Sequence, residues 1–195
     1  HVSRPTARQA LQRLVDRGLL TRRRGVGTIV SPRHVHRPME LTSLMRDLVN
    51  AGHKVHTTIQ RYEERPASAQ EAGILKVAEG TLIVHIERTR FANDEPIAVL
   101  TNLIPTDIAP TMQELESASL YDLMRERGVI LASARQVIGA RSATTKEAKL
   151  LSEHRGAALL TTQRTTYDPS GRIVEYGDHI YRASRYSFEA SLFAQ

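Results

Sequence analysis

Two arginines set one residue apart, at the end of an aliphatic run, are the strongest chemical signal in the chain. Taking every second residue from Leu82 gives Leu82, Val84, Ile86, Arg88 and Arg90, and alternate residues of a strand share a face. Three aliphatics would turn that face inward and carry the arginines with it. A buried guanidinium is expensive to desolvate, and two side by side repel unless an anion neutralises them. That pattern suits a receptor for the phosphate or carboxylate of a small ligand. The same spacing allows a strand that twists out to solvent after Ile86, with both arginines paired to local acids such as Glu175. Glu175, His179 and Tyr181 would share a face of another strand, with Gly177 leaving room between them. The alternative for Tyr181 is a core tyrosine with its hydroxyl satisfied.

Other chemistries find little support. The 195 residues contain no cysteine, which rules out disulfides, iron–sulfur clusters and thiol catalysis and fits a reducing cytoplasm. His34 and His36, and His53 and His56, have no third ligand at a sensible spacing, and His85 falls on the strand face opposite the arginines. No metal or other cofactor is therefore expected. A phosphate loop, a zinc-protease motif and a nucleophile elbow are all missing. No apolar run approaches the roughly 20 residues of a membrane span, and no signal peptide is visible. The expectation is a cytoplasmic protein without membrane contact.

The second signal is electrostatic. Net charge is +6, but residues 1–33 hold eight arginines against Asp16, a balance of +7, which leaves −1 for residues 34–195. A basic excess confined to one segment implies a polyanion partner for that segment. Ser3 reads as an N-cap with Pro5 in the first turn. Ala7, Ala10, Leu11, Leu14 and Val15 then follow a helical period, and Gly18 supplies the stop. Arg4, Thr6, Arg8, Gln9, Gln12 and Arg13 occupy the remaining surface, a donor-rich end suited to a major groove. Residues 19–23 and 28–30 read as strands around Arg24-Gly25-Val26-Gly27, a hairpin with arginine at its tip. Helix, hairpin and charge form the second half of a winged helix; the alternative is an amphipathic helix packed on a larger domain.

Residues 34–40 read as a linker, rich in proline and without apolar period. Beyond it, helix and strand signals mix. Leu44, Leu48 and Val49 share a helix face closed by Gly52, and residues 55–63 alternate like a strand. Ser68 with Glu71 and Thr144 with Glu147 are capping boxes, and Ser119 with Asp122 is a variant of the same device. Residues 81–91 and 97–104 predict one hairpin, and residues 159–167 and 172–186 another. The fold class is α+β, on a mostly antiparallel sheet.

Two family resemblances follow from these motifs. Ser3-Arg4-Pro5-Thr6-Ala7-Arg8-Gln9-Ala10-Leu11, Gly18-Leu19-Leu20 and Gly25-Val26-Gly27-Thr28 resemble the winged helix of GntR-type regulators. The resemblance implies double-stranded DNA as partner, a palindromic operator and a homodimer. Ser3, Arg4, Thr6, Arg8, Gln9 and Arg24 would contact DNA, with Gly25 and Gly27 close to the minor groove. That family's first two helices precede the matched stretch. The chain starts at His1 rather than methionine, and is expected to be a winged helix truncated to its recognition helix and wing. Residues 41–195 are similar to the UTRA effector module of the HutC branch, through Arg65-Pro66-Ala67, Ile86-Glu87-Arg88-Thr89-Arg90, Glu95-Pro96-Ile97-Ala98, Ser119-Leu120-Tyr121, residues 171–176 and Tyr181-Arg182. That resemblance implies a chorismate-lyase-like fold that binds effectors rather than transforming them. Arg88, Arg90 and Ser119 would grip a small anionic metabolite, phosphate or carboxylate, and Tyr121, Glu175 and Tyr181 would line the rest. Members that bind amino-sugar phosphates carry acids at Leu100 and near Gly139, and threonine at Met45; their replacement implies a less polar ligand body. A chorismate-lyase-like enzyme acting on a small carboxylate is the alternative reading.

Overall fold

The computed structural model describes residues 3–16, 20–23, 27–30, 35–38 and 41–189. The first helix, α1, runs Arg4–Asp16. Ser3 caps it as its sequence predicts: the Thr6 amide donates to Ser3 Oγ at 3.3 Å, and the two hydroxyls lie 2.8 Å apart. Leu20–Arg23 (β1) and Gly27–Val30 (β2) pair antiparallel as the expected hairpin. Gly27 sits at φ +102°, where a side chain would be strained. Gly18, Arg24 and Gly25 fall outside the described residues.

Within the expected linker, Val35–Pro38 (β3) forms a strand that pairs in parallel with Tyr186–Glu189 (β10). The predicted strand over 172–186 is thus two. Ile173–Arg182 (β9) ends in a turn closed by Arg185 N–H to Arg182 C=O at 3.0 Å, and β10 leaves toward β3.

The remaining elements build one antiparallel sheet. They are Leu44–Asn50 (α2), Val55–Pro66 (β4), Ala69–Leu75 (α3), Leu82–Ala92 (β5), Glu95–Pro105 (β6), Met112–Ser117 (α4), Leu120–Glu126 (α5), Ser133–Ser142 (β7), Thr145–Leu150 (α6) and Ala158–Tyr167 (β8). Strand order is β4-β5-β6-β9-β8-β7. The β5–β6 hairpin turns on Asn93 and Asp94 at φ +51° and +66°, a two-residue turn that matches strand twist.

Helices cover both faces of the sheet. On one, α4 and α5 press Leu115, Leu120, Leu123 and Met124 onto Val84, Ile86 and Ile104, while α2 adds Leu44 and Leu48 against Ala98, Leu100 and Tyr181. Val49, expected on the buried face of α2, is 52% exposed; the helix is only seven residues long and buries a narrower stripe. On the other face α3 packs on Ile83, Leu103 and Ile173, and α6 on Val99, Leu159 and Ile180. The capping boxes at Ser68 and Thr144 are present, and a third, unpredicted, opens α4 at Thr111 with Glu114. Ser119 is different. It holds the N-cap position of α5 but makes no side-chain cap bond, and Asp122 turns away to Arg46 and Arg125 at 2.7 and 2.9 Å.

Candidate functional site

The face under α2 and α5 carries the polar groups. β5 brings in Arg88 and Arg90, β6 Asn102, β9 Glu175, His179 and Tyr181, and β8 Arg164; α5 supplies Ser119 and Tyr121 from above, and Thr42, Ser43, Leu44 and Met45 close the rim. Arg88 and Arg90 are each 2% exposed. The strand does not twist out to solvent, and the reading that left both arginines at the surface is excluded. Nor does either rely on a direct bond to Glu175. Arg88 Nη2 donates to Asn102 Oδ1 at 2.8 Å, and Arg90 Nη1 donates to the Thr57 hydroxyl.

Three guanidinium nitrogens find no partner among the described residues: Nε and Nη1 of Arg88 and Nε of Arg90. Ser119 Oγ, freed from capping, is likewise buried without one. Desolvation weakens both bases, Arg88 to about 10 and Arg90 to about 9, the latter also because Arg88 lies beside it. Both stay cationic at neutral pH. Unsatisfied buried donors are costly, and here they gather in one cavity.

The opposite wall is fully bonded. Glu175, with no exposed surface, accepts from Asn102 Nδ2 at 2.6 Å, Thr166 Oγ1 at 2.8 Å and Tyr121 OH at 3.1 Å. Burial nonetheless pushes its carboxyl above the usual range, and burial also raises the Tyr121 phenol. Gly177 earns its place between Glu175 and His179: an added Cβ would stand 2.5 Å from His179 Nε2 and 2.7 Å from Glu175 Oε1. Arg164 reaches the same wall, with Nε donating to Gln136 Oε1 at 2.7 Å. Sequence reasoning passed over Asn102 and Arg164. Both sit at alternating positions on strands whose inward face was identifiable, so the register with Arg88 and Glu175 was the missing signal.

All six expected ligand residues, Arg88, Arg90, Ser119, Tyr121, Glu175 and Tyr181, line this one cavity. So do Leu100 and Met45. Gly139 does not: its strand position faces the other side of the sheet, where an added Cβ would meet Thr161 Oγ1 at 2.9 Å. The free volume is about 40 Å³, room for a few water molecules. The cavity's rim is formed by residues 42–45. That rim begins four residues after β3 ends.

An aromatic stack leads from the cavity to the same strand. Tyr181 stacks on Tyr186 with ring centres 4.3 Å apart, and Phe188 meets both edge-on at 5.5 and 5.2 Å. Tyr186 and Phe188 belong to β10, which holds β3.

In the N-terminal segment Ser3, Thr6, Arg8 and Gln9 are exposed on α1. Leu11 and Leu14 are 42% and 36% exposed, an apolar stripe left uncovered among the described residues. His56 stacks on Phe91, His53 contacts Asn93, and His85 lies 3.3 Å from Arg65. No group of three metal-ligating side chains occurs among the described residues.

Comparison with known proteins places these observations. Residues 50–187 match the UTRA domain and residues 1–30 the gntR family of bacterial regulatory proteins. The chain is 35% identical over 190 residues to the transcriptional repressor NagR of Bacillus subtilis, covering 96% of this chain and 78% of that protein. It is 28% identical to the histidine utilization repressor of Klebsiella aerogenes, with the same coverage. Among solved structures, PhnF from Mycobacterium smegmatis superposes with a TM-score of 0.86 at 26% identity, covering all of this chain and 87% of that one. A regulator from Streptomyces coelicolor is 47% identical over 73% of this chain and 96% of its own, with a TM-score of 0.66.

Proposed function

The chain belongs to the GntR family of bacterial regulatory proteins, with a UTRA domain as its larger part, and from that premise we propose that it is a repressor whose hold on its operator is released by a small anion. It is a DNA-binding transcription regulator; the anion, its site and the coupling are our reading. We divide the chain into a winged-helix part (1–33), a linker (34–40) and an effector domain (41–195). Our reading assigns DNA contacts to Ser3, Arg4, Thr6, Arg8 and Gln9 at the start of the chain, and to Arg24, Gly25 and Gly27 further on. The operator is a palindrome read by a homodimer, since paired recognition helices lie about one turn of DNA apart.

The observation that carries the effector reading is the set of donors around one cavity without a partner among the described residues: two guanidinium nitrogens of Arg88, one of Arg90 and the Ser119 hydroxyl. An oxyanion there would accept from all of them and cancel the repulsion between the two guanidiniums. The ligand body is less polar than a hexosamine phosphate, because Leu100 and Met45 face it. Micromolar binding of glucosamine 6-phosphate by titration calorimetry would contradict that last point.

Coupling to DNA follows the chain. A ligand that moves residues 42–45 pulls on β3, and one that shifts Tyr181 moves Tyr186 and β10, the strand paired with β3. Effector and operator then oppose each other through one free energy, typically ~1–3 kcal/mol or about 5- to 150-fold in affinity. Enzymatic lysis of a carboxylate is the alternative we set aside, since the relatives are regulators and Glu175 is tied up by three donors; chorismate turnover would reverse that judgement. No helix among the described residues is long and apolar enough to cross a membrane, and we place the protein in the cytoplasm.

Thermal shift against phosphates and small carboxylates tests the reading. A ligand at 100 times its dissociation constant stabilises by about 2.7 kcal/mol. The expected result is a rise in melting temperature that disappears in Arg88→Ala. No rise with any anion would remove the effector site and leave DNA binding alone.

A further inference from the structure

The face of the sheet away from the arginine pair carries a cavity of its own, of about 200 Å³, beside α6. Its floor is one cross-strand row. Glu87 on β5 pairs with Thr101 on β6, and Thr101 with Asp178 on β9, so a hydroxyl stands between two carboxyls. Strand spacing sets the backbones of the two acids roughly 10 Å apart. Val99 and Ile180, paired in a neighbouring row, and Leu150 of α6 make the apolar part of the lining. The charged groups leave one acid over. Three carboxylates, Glu87, Glu147 and Asp178, meet two cations, Arg141 and Lys146. Glu147 holds both ends of Arg141 at 2.6 and 2.7 Å, and Lys146 Nζ stands 3.6 Å from Glu87. Asp178 accepts a hydrogen bond from Gln163 and has no ion pair among the described residues.

We propose that this outer cavity binds a small linear diamine, with one ammonium on Asp178 and Thr101, the other on Glu87 in place of Lys146, and the methylenes against Val99, Ile180 and Leu150. An anion finds no free cation here, since Arg141 is already bound at both ends and Lys146 serves Glu87. A single metal ion suits the floor no better. No group of three metal-ligating side chains occurs among the described residues, and acids on strands roughly 10 Å apart fit the two ends of a chain rather than one centre. Lys146 shows what Glu87 accepts, because its own ammonium already lies there. That side chain is 75% exposed, and an exposed ion pair is weak enough for a ligand to displace it. Alternate residues of a strand face opposite ways, so Glu87 and Thr101 turn outward where their neighbours Arg88 and Asn102 turn into the anion cavity. The two sites therefore share strands without sharing side chains, and this inference stands apart from the regulator reading.

Titration calorimetry of the 195-residue chain with putrescine reads the site. Binding should saturate at one site with a dissociation constant below about 1 mM, and butylamine, which lacks the second charge, should bind roughly tenfold more weakly or worse. Asp178→Asn should weaken putrescine about tenfold or more. Two lysine variants separate a built site from general attraction to acidic surface. Lys146→Ala should tighten putrescine several-fold, since it frees Glu87. Lys149→Ala removes the same charge from an exposed position of the same helix and should leave the affinity as it was. Absence of saturable binding, an Asp178→Asn affinity equal to that of the parent, butylamine as tight as putrescine, or an equal response to both lysine variants would each overturn the proposal. Should Asp178→Asn fail to fold, Glu87→Gln decides on the same criterion.

Discussion

Arg88 and Glu175 are held by the two ends of one amide: Asn102 accepts from Arg88 at 2.8 Å and donates to Glu175 at 2.6 Å. A buried cation and a buried acid are thus linked without an ion pair, and two guanidinium nitrogens of Arg88 have no partner among the described residues and can meet a ligand. A direct pair would have spent those donors on the carboxylate. The amide holds the guanidinium in place and leaves its charge facing the cavity.

Asn102→Leu removes the acceptor of one buried charge and a donor to the other. Leaving buried charged groups short of partners costs roughly 2–4 kcal/mol. At about 2–4 °C per kcal/mol for a chain of this size, the melting temperature should fall by roughly 5–15 °C in scanning calorimetry. An unchanged melting temperature would mean that the bridge has no structural weight.

Arg90→Met should do the reverse. Arg90 is buried beside a like charge and donates to Thr57 as its one hydrogen-bond partner among the described residues, and exchanging buried charge for an apolar side chain of similar volume is often neutral or stabilising by ~1–4 kcal/mol. The anion-free protein should melt at the same or a higher temperature, while its response to anions disappears. A melting temperature several degrees lower, with the anion response retained, would make Arg90 a structural residue.

Much of this site was legible in the sequence, for a physical reason. Strand alternation put Arg88 and Arg90 on one face with Val84 and Ile86, which left an inward or an outward arginine pair open; the pair is buried, although Leu82 at the start of the run is 50% exposed, and Gly177 signalled crowding on β9. Pairings between distant strands were less accessible. Asn102 and Arg164 matter through cross-strand register, which no local pattern encodes. Ser119 looked like a cap because Asp122 stands three residues on, yet its hydroxyl faces the cavity and Asp122 pairs with Arg46. The strand at Val35–Pro38 was missed because its pairing partner lies about 150 residues away and proline favours an extended linker just as well.

Phe188→Ala tests the route from cavity to linker. Phe188 packs against Tyr181 and Tyr186 from β10, so its loss should loosen the link and spare the arginine pair. Hydrogen exchange at the amides of Val35–Arg37 should respond to a saturating anion in the parent chain and respond little in the variant, while anion affinity changes less than about threefold. If those amides respond equally in both, the signal travels through the rim at residues 42–45 alone.

Arg8→Ala reports on the DNA face. Arg8 is exposed on the donor-rich part of α1. Loss of a base contact costs ~1–3 kcal/mol and relaxes preference at one position, whereas loss of a phosphate contact weakens all sequences alike and lowers the salt slope by about one. Binding curves on operator DNA selected from a random pool, at two salt concentrations, separate these outcomes. No change in affinity or slope would remove Arg8 from the interface.

Acid stability should rest on two matched pairs on the outer face. Glu71 and Glu147 each open a helix by a capping box and each lie 2.6–2.8 Å from both ends of a guanidinium, that of Arg65 and of Arg141. Those hydrogen bonds hold both carboxyls at about 2, against an ordinary value of 4.5. A carboxyl whose pKa is depressed on folding binds fewer protons folded than unfolded. Its stabilisation is therefore complete above about pH 4.5 and is lost as pH falls toward 2. Glu147→Gln should melt below the parent at pH 7, and the gap should narrow steadily between pH 4.5 and 2, with Glu71→Gln behaving alike. A gap that stays constant down to pH 2 would mean that the two glutamates act through helix capping geometry rather than charge, since glutamine keeps the carbonyl oxygen and loses only the ionisation.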